Sequence, residues 1–516
     1  IGSTQERTQV HYIELHADKS GKILALNDFF LHDTGAFIPY GIAIAQVAST
    51  SIAGPYDIPN IKVRFQAVYT PTVTVTPYRG CGRPQACFAI ERAIDKLGDE
   101  LGIDRFEIRK INLIKDNQFP YKREGLLFAD GLRVVLDSGQ YHKALDMIYK
   151  EIDAENFKKR QIEAKNEGKY LGLGLAFYIE GTGLGPYEGG HVKIHPITGK
   201  VYVNTGLSGQ GQGHETVFAQ IVSDQLGVAV EDVILTEGDS GSFDWGVATF
   251  ASRAAVVSGN AIHKTAAIVR DKTITAAANM LEVDKSEIEL RDGDAWVKGT
   301  NRSVSLAAIA TATNPLRYAF NEAAKEATQF APASKHDGPP LDEGQHPGLE
   351  ATDYFSPAAS TWAYGVHAAI VEVDLATCNV KIDKYICIHD CGNMINPTIV
   401  EGQVTGGLAQ GIAGALFERI GYDQEGNPMN ANFVDFLVPY ATEIPHIEID
   451  HIETPSTTNP LGIKGVGEAG CIAVGATVAS GLSDALNDYK NNDLTPGSFL
   501  LYNSLCLDND IDYKKI

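Results

Sequence analysis

The segment Tyr78-Arg-Gly-Cys-Gly-Arg-Pro-Gln85 is a glycine-rich turn that leads into a helix. Pro84 suits the first turn of that helix. The apolar residues that follow have the four–three–four spacing of one helix face, at Ile90, Ile94, Leu97 and Leu101. Backbone N–H groups at such a helix start favour an anion or an oxo group. The segment therefore predicts a helix from residue 84, preceded by a candidate anion cradle.

Three more segments place small or glycine-rich residues before a predicted helix. They are Gly209-Gln-Gly-Gln-Gly-His-Glu-Thr216, Gly246-Val-Ala-Thr-Phe-Ala-Ser-Arg253 and Gly462-Ile-Lys-Gly-Val-Gly-Glu-Ala-Gly470. The first has neither the Gly-Lys-Ser/Thr of a Walker loop nor the glycine spacing of a dinucleotide fingerprint. Taken alone, a segment of this kind is more often a tight structural turn than a ligand site.

Several single residues have two interpretations. Glu468, surrounded by glycines, is either a general base or a carboxylate that stabilises the N-terminus of the next helix. His214 either donates to a bound phosphate or caps its helix. The remaining ambiguous residues are ligand contacts or ordinary core and turn residues: Cys391, Asn396, Phe243 and Trp245.

Composition limits the function classes. The chain has 43 Lys and Arg residues and 65 Asp and Glu residues, so its net charge is −22. This charge would repel nucleic acids and anionic membranes. The seven cysteines contain no Cys-x-x-Cys pair, so no zinc or iron–sulfur site is expected. No apolar stretch approaches the roughly 20 residues of a membrane span, and the N-terminus shows no basic-then-apolar leader. We expect a cytoplasmic protein without a membrane span.

The chain alternates predicted strands and helices. Strands are expected over residues 8–16 and 22–29, and hairpins over 192–203 and 369–385. A polar helical stretch over 143–169 precedes an apolar strand, which predicts a domain boundary there. We expect an α+β fold with mixed sheets. Its predicted domains are 1–165, with 472–516 as a candidate addition, and 166–471, with a proline-rich covering loop or linker over 330–360.

Six segments, taken in order, resemble the molybdenum-binding large subunit of the xanthine dehydrogenase and aldehyde oxidase family. They are 78–85, 211–216, 249–253, 390–397, 401–407 and 464–468. The similarity extends from the first residues to about residue 486. It implies two molybdopterin-binding domains with the cofactor at their interface.

The resemblance also implies residue roles. Glu468 matches the family's catalytic base, and the molybdenum is held by the pterin dithiolene and not by protein ligands. Residues at matching positions are expected to contact the cofactor: Tyr78, Arg79, Gly80, Cys81, Gly211, Gln212, Gly213, His214, Thr249, Ala251, Ser252, Arg253, Cys391, Asn396, Gln403, Lys464, Gly465, Val466 and Gly467. The substrate pocket is expected to include Cys81, Phe243 and Trp245.

The implied cofactor is molybdenum with molybdopterin, usually the cytosine dinucleotide form in bacterial members. The implied reaction is oxidative hydroxylation of a small molecule with water-derived oxygen. Electrons would pass to 2Fe–2S clusters and FAD on partner subunits, in a dimer of heteromers. Family members also carry an N-terminal portion that presents a glutamine to the metal, and no segment matches it here. A separate chain that supplies this portion is therefore an expected partner; a longer parent chain is the alternative.

Two positions depart from subgroups of the family. Aerobic carbon monoxide dehydrogenases place a copper-binding Cys directly after the Tyr-Arg pair, where this chain has Gly80. Purine-oxidising members have a stacking aromatic at the position of Cys81. An aldehyde or an N-heterocyclic aromatic is therefore the expected substrate class. The alternatives are a carbon monoxide dehydrogenase large subunit and a non-catalytic cofactor-binding module.

Overall fold

The computed structural model describes residues 7–128, 131–314, 341–342 and 344–487. The strands are β1 (Gln9–Ala17), β2 (Ile23–Asp33), β3 (Asn60–Val68), β4 (Tyr121–Leu127), β5 (Arg133–Leu136), β6 (Tyr170–Thr182), β7 (Glu188–Ile194), β8 (Val201–Thr205), β9 (Val233–Glu237), β10 (Ile288–Arg291), β11 (Asp294–Val297), β12 (Ser303–Ser305), β13 (Glu350–Phe355), β14 (Thr361–Asp374), β15 (Asn379–Asp390) and β16 (Ile447–His451).

The helices are α1 (Ala43–Ser51), α2 (Arg83–Leu101), α3 (Arg105–Asn112), α4 (Tyr141–Glu151), α5 (Ala154–Asn166), α6 (His214–Leu226), α7 (Asn260–Leu281), α8 (Leu306–Thr313), α9 (Pro397–Leu416), α10 (Ala469–Ile472) and α11 (Val474–Ala485). A π-helical turn, Ala254–Gly259, leads into α7. None of the helices in the described ranges combines the length and hydropathy needed to cross a membrane.

Three of the sheets are mixed, which agrees with the predicted α+β class. They have strand orders β1-β2-β3, β13-β7-β8-β9 and β16-β15-β14-β6. Each combines antiparallel pairs with one parallel pair, namely β2 with β3, β8 with β9, and β15 with β16. The predicted hairpins are present as β1–β2, β7–β8 and β14–β15.

The sheet that contains β6 is covered on both faces. Side chains alternate along β6 because successive residues of a strand point to opposite faces. Leu175, Phe177 and Ile179 enter the core formed with residues 23–152. Ala176 and Tyr178 pack against Ala469 and the residues that follow it. This alternation places position 180 on the same face as the loop that carries Glu468.

A second core lies between the sheet of β7–β9 and helices α6 and α7. The predicted boundary at 165/166 falls at the C-terminal end of α5, shortly before β6. The core is continuous across it, because Ile90 and Phe177 belong to the same buried cluster. The division into 1–165 and 166–471 stays a prediction.

Two terminal or loop predictions fall partly outside the described residues. Of the loop expected over 330–360, residues 350–355 form β13, which pairs with β7. The alternating side chains of this segment, with Tyr354 and Phe355, suit an edge strand despite the nearby prolines. Residues 330–340 and 343 lie outside the description. Of the segment 472–516, helix α11 packs on β6, and 488–516 lie outside the described residues.

Candidate active site

Segments that are distant in sequence line one cavity of about 1370 Å³. The lining residues come mainly from 76–81, 184–186, 210–218, 247–255, 391–403 and 463–468. The glycine-rich segments identified in the sequence therefore meet in space.

Most of the predicted site residues line this cavity. They are Tyr78, Arg79, Cys81, Gly211, Gln212, His214, Thr249, Ala251, Ser252, Arg253, Cys391, Asn396, Gln403, Lys464, Gly465, Val466, Gly467 and Glu468. Gly80 and Gly213 belong to the same loops but are not among the lining residues. Neither are Phe243 and Trp245. Phe243 is buried against Gly189 and Tyr354, and Trp245 stacks on Tyr187 at 5.0 Å between ring centroids.

The Glu468 carboxylate does not cap its helix. No side chain caps α10, which begins at the next residue. Oε1 instead accepts a hydrogen bond from the Gly80 backbone N–H at 3.0 Å, and Oε2 lies 3.3 Å from Arg83 Nη1. The Glu468 side chain is 13% exposed, whereas that of Arg83 is 1% exposed. This carboxylate lies at the cavity wall and is held by one N–H and one guanidinium. It is therefore positioned to accept a proton from a ligand in the cavity.

Ser252 connects Glu468 to a second carboxyl. Its Oγ is hydrogen-bonded to Glu180 Oε1 and lies 3.5 Å from Glu468 Oε2. Burial and the nearby charge of Glu468 raise the pKa of Glu180 from 4.5 to about 8. Ser252 itself has a left-handed backbone with φ of 48°, a conformation that costs energy in a non-glycine residue. Backbone strain is thus concentrated where the hydroxyl joins the two acids.

Three of the predicted cationic site residues hold loops together. The Arg79 guanidinium donates to the backbone oxygens of Gly467 at 2.6 Å and Gln403 at 3.0 Å. Arg253 is fully buried; it pairs with Glu188 and donates to the Leu184 carbonyl at 2.7 Å.

Lys464 is the third of these cations. Its ammonium lies 2.9 Å from Asp390 Oδ1, and both side chains are fully buried. Burial raises the pKa of Asp390, and the Lys464 charge opposes that rise. These cations therefore hold the loops of the cavity wall in place.

Polar groups at the cavity wall suit a polar, anionic ligand. Within the part of the chain that the structure describes, Gln212 Nε2 and His214 Nε2 are buried without a hydrogen-bond partner. His214 Nδ1 lies 2.8 Å from Glu237 Oε2. Helix α6 follows a left-handed glycine with no side-chain cap, so its first N–H groups can face an anion. His214 is therefore not a helix cap.

Two ambiguous residues have local roles. The Asn396 side chain accepts from the Ile399 N–H at 3.1 Å, as the N-cap of α9, and donates to Gln220 Oε1 at 2.9 Å. Burial raises the pKa of the Cys391 thiol, which keeps it neutral at ordinary pH. Contact of either residue with a cofactor stays a prediction.

Sequence reasoning missed Glu180 and Arg83. A signal for Glu180 was present, since it is the one acid in the otherwise uncharged segment 171–182. Arg83 lies inside the first glycine-rich segment, but its pairing with Glu468 spans 385 residues and leaves no local pattern.

The Molybdopterin cofactor-binding domain family matches residues 1–113 and 147–445. The chain is 34% identical over 505 residues to the nicotine 6-hydroxylase large subunit of Paenarthrobacter nicotinovorans, covering 95% of this chain and 58% of that one. It is 34% identical over 477 residues to the carbon monoxide dehydrogenase large chain of Afipia carboxidovorans, covering 88% and 55%. The chain thus spans less than two-thirds of the length of these relatives.

Solved structures of two enzymes also superpose on this chain. Quinoline 2-oxidoreductase from Pseudomonas putida 86 superposes with a TM-score of 0.84 at 33% identity, over 95% of this chain and 61% of that one. A Cu,Mo-CO dehydrogenase superposes with a TM-score of 0.82 at 30% identity, over 98% and 63%. On this evidence, the chain belongs to the molybdopterin cofactor-binding family, as its glycine-rich segments predicted.

Proposed function

We propose that this chain is the catalytic, molybdenum-cofactor-binding component of a molybdenum hydroxylase. Its reaction is the oxidative hydroxylation of an N-heterocyclic aromatic or an aldehyde with water-derived oxygen. The observation that carries this proposal is the Glu468 carboxylate at the cavity wall, held by Gly80 and Arg83 where the glycine-rich segments converge. The names of two relatives, nicotine 6-hydroxylase and quinoline 2-oxidoreductase, support the heterocyclic class.

The residues present fit a molybdenum–pterin cofactor. When bound, the cofactor supplies the two-electron redox centre at which a substrate carbon is oxidised. Gln212 and His214 offer unpartnered buried nitrogens to it. The uncapped start of α6 suits a phosphate of this cofactor, for which we propose the cytosine dinucleotide form.

The chain's own contribution to the chemistry is proton transfer. Glu468 Oε2 accepts the proton of the attacking oxygen, while the Gly80 N–H holds Oε1 and fixes the direction of the carboxylate. Arg83 balances the negative charge of Glu468 before the transfer. The surrounding loops keep the carboxylate largely out of bulk water, since only 13% of its side chain is exposed.

Replacement of the base tests this proposal. Glu468→Gln should lower turnover by about 10²–10⁴-fold, the usual contribution of a general base, while bound molybdenum is retained. Turnover and metal content of the purified assembly are measured together. Glu289→Gln, the same change at an exposed position on β10, is the matched control and should leave both unchanged. Turnover of Glu468→Gln within tenfold of the parent would remove the base assignment.

The non-catalytic alternative predicts a different result for the parent protein. An assembly that binds the cofactor but shows no molybdenum-dependent turnover would be a cofactor-binding module. Metal analysis and turnover of the unmodified assembly separate the two functions.

A carbon monoxide dehydrogenase remains a second candidate because Cys81 lines the cavity, one position after the copper-binding position expected for that subgroup. It predicts stoichiometric copper that is lost in Cys81→Ser. We expect no copper, because Gly80 occupies the matching position.

The electron path and the assembly are part of the proposal. We infer partner subunits that carry 2Fe–2S clusters and FAD, a companion polypeptide for the remaining length of the relatives, and a dimer of such heteromers.

A further inference from the structure

A second buried carboxyl lies beside the proposed base. Glu180, near the end of β6, is fully buried. Its Oε1 is hydrogen-bonded to Ser252 Oγ, and its Oε2 is buried without a hydrogen-bond partner among the described residues. Ser252 Oγ also accepts from the Glu468 N–H at 3.1 Å and lies 3.5 Å from Glu468 Oε2. One hydroxyl therefore bridges two acids.

The charged and hydrogen-bonding groups around Glu180 and Glu468 are distributed unevenly between the two carboxyls. The ionisable groups that act on Glu180 or sense its charge are Glu468, Arg83, Arg79, Tyr178 and Cys391. Arg83 contacts Glu468 at 3.3 Å and otherwise donates to the carbonyls of Gly80 and Gly181. Arg79 donates to Gln403 and Gly467. Glu468 thus has a guanidinium and a backbone N–H, whereas Glu180 has a hydroxyl.

Two adjacent carboxyls in a low-dielectric site do not both ionise readily. The better-solvated member, with a cation in contact, is the one that keeps its charge. By both criteria that member is Glu468, whose side chain is 13% exposed and paired with Arg83.

We infer that Glu180 holds a proton at neutral pH and donates it in a hydrogen bond to Ser252, whose own hydroxyl hydrogen then points to Glu468. Glu180 is thereby a positioning residue that acts through Ser252 and keeps the Glu468 carboxylate oriented for proton transfer. The positioning role of Glu180 rests on the proposed function, because it requires Glu468 to be the base. The protonation of Glu180 does not depend on that function.

The raised pKa of Glu180 determines how its contribution to folding stability changes with pH. Because the folded state holds the proton more tightly than an ordinary carboxyl with a pKa of 4.5, the unfolded chain loses its proton first as the pH rises. The contribution of Glu180 to folding stability is therefore lost between pH 4.5 and about 8. Glutamine, which is neutral throughout and can donate to Ser252, removes this dependence.

The first test compares thermal unfolding of Glu180→Gln and the parent between about pH 5 and pH 8, in the full chain or its native complex. The difference in midpoint, variant minus parent, should rise steadily with pH. For the exposed control Glu289→Gln it should stay flat. A flat or falling difference for Glu180→Gln would overturn the inference.

An infrared titration provides a second readout that needs no stability comparison. The parent should show the carbonyl stretch of a protonated carboxyl at neutral pH, and part of that band should be missing in Glu180→Gln but present in Glu289→Gln. A neutral-pH spectrum that Glu180→Gln leaves unchanged contradicts the inference. Neither readout uses turnover, so failure here and failure of the Glu468 assignment can be told apart.

Discussion

Gly465 lies where the loop before α10 crosses the loop that carries Ser252. A Cβ at this position would lie 2.0 Å from the Ser252 carbonyl oxygen, far inside the contact distance of real side chains. Because the obstacle is backbone, no rotamer change can relieve it. Only glycine therefore allows Ser252 to approach Glu468 as closely as it does.

At this scale we predict that Gly465→Ala destabilises the chain by about 1–3 kcal/mol, the usual cost of overpacking. It should also reduce bound molybdenum, since both loops line the cavity. Chemical denaturation and metal analysis measure the two effects. Gly414→Ala on α9 is the control, because its Cβ would meet no atom within 4 Å. Equal results for both variants would show that the crossing is not tight.

At the scale of elements, helix α11 packs on β6 through glycines. A Cβ on Gly174 would lie 1.9 Å from the Thr477 carbonyl oxygen, and one on Gly172 would lie 1.9 Å from that of Gly481. Helix and strand thus contact each other through backbone. Because α10 and the Glu468 loop directly precede α11, this packing sets the position of the proposed base.

We predict that Gly174→Ala pushes α11 away from β6, at a cost of about 1–3 kcal/mol, and lowers turnover per bound molybdenum. Urea denaturation and turnover are the measurements. Gly475→Ala, on the same helix, would meet only Phe88 Cδ2 at 3.9 Å and should change neither property. Loss of stability with full turnover per molybdenum would show that α11 does not position Glu468.

At the scale of the whole molecule, the chain is acidic, with a net charge of −22, and spans only part of the length of its relatives. We predict that native mass spectrometry of the complex finds the mass of a molybdopterin dinucleotide, flavin- and iron–sulfur-containing subunits, and a companion for the remaining length. The chain purified alone should show little turnover until those partners are added. Full turnover of the isolated chain with an artificial electron acceptor would remove the need for the companion.

Much of the local structure followed from sequence patterns. The spacing of Ile90, Ile94 and Leu97 predicted α2, and the strands expected over 8–16 and 22–29 are β1 and β2. These elements depend on contacts between neighbours in the chain, which periodicity records. The strand β13 was missed because the surrounding prolines indicated a loop, whereas pairing with β7 fixes it as an edge strand.

The sequence by itself determined the helices and hairpins, the glycine-rich loops and the glycine-flanked acid Glu468, because each is encoded within a few consecutive residues. Only the tertiary structure decided that Glu468 faces Gly80 and Arg83 and that Glu180 reaches it through Ser252. It also decided that Arg79, Arg253 and Lys464 hold the loops of the cavity wall together. The physical reason is distance along the chain. Whether a polar side chain faces a ligand, another residue or solvent depends on segments hundreds of residues away. Those segments meet only when the sheets and helices pack.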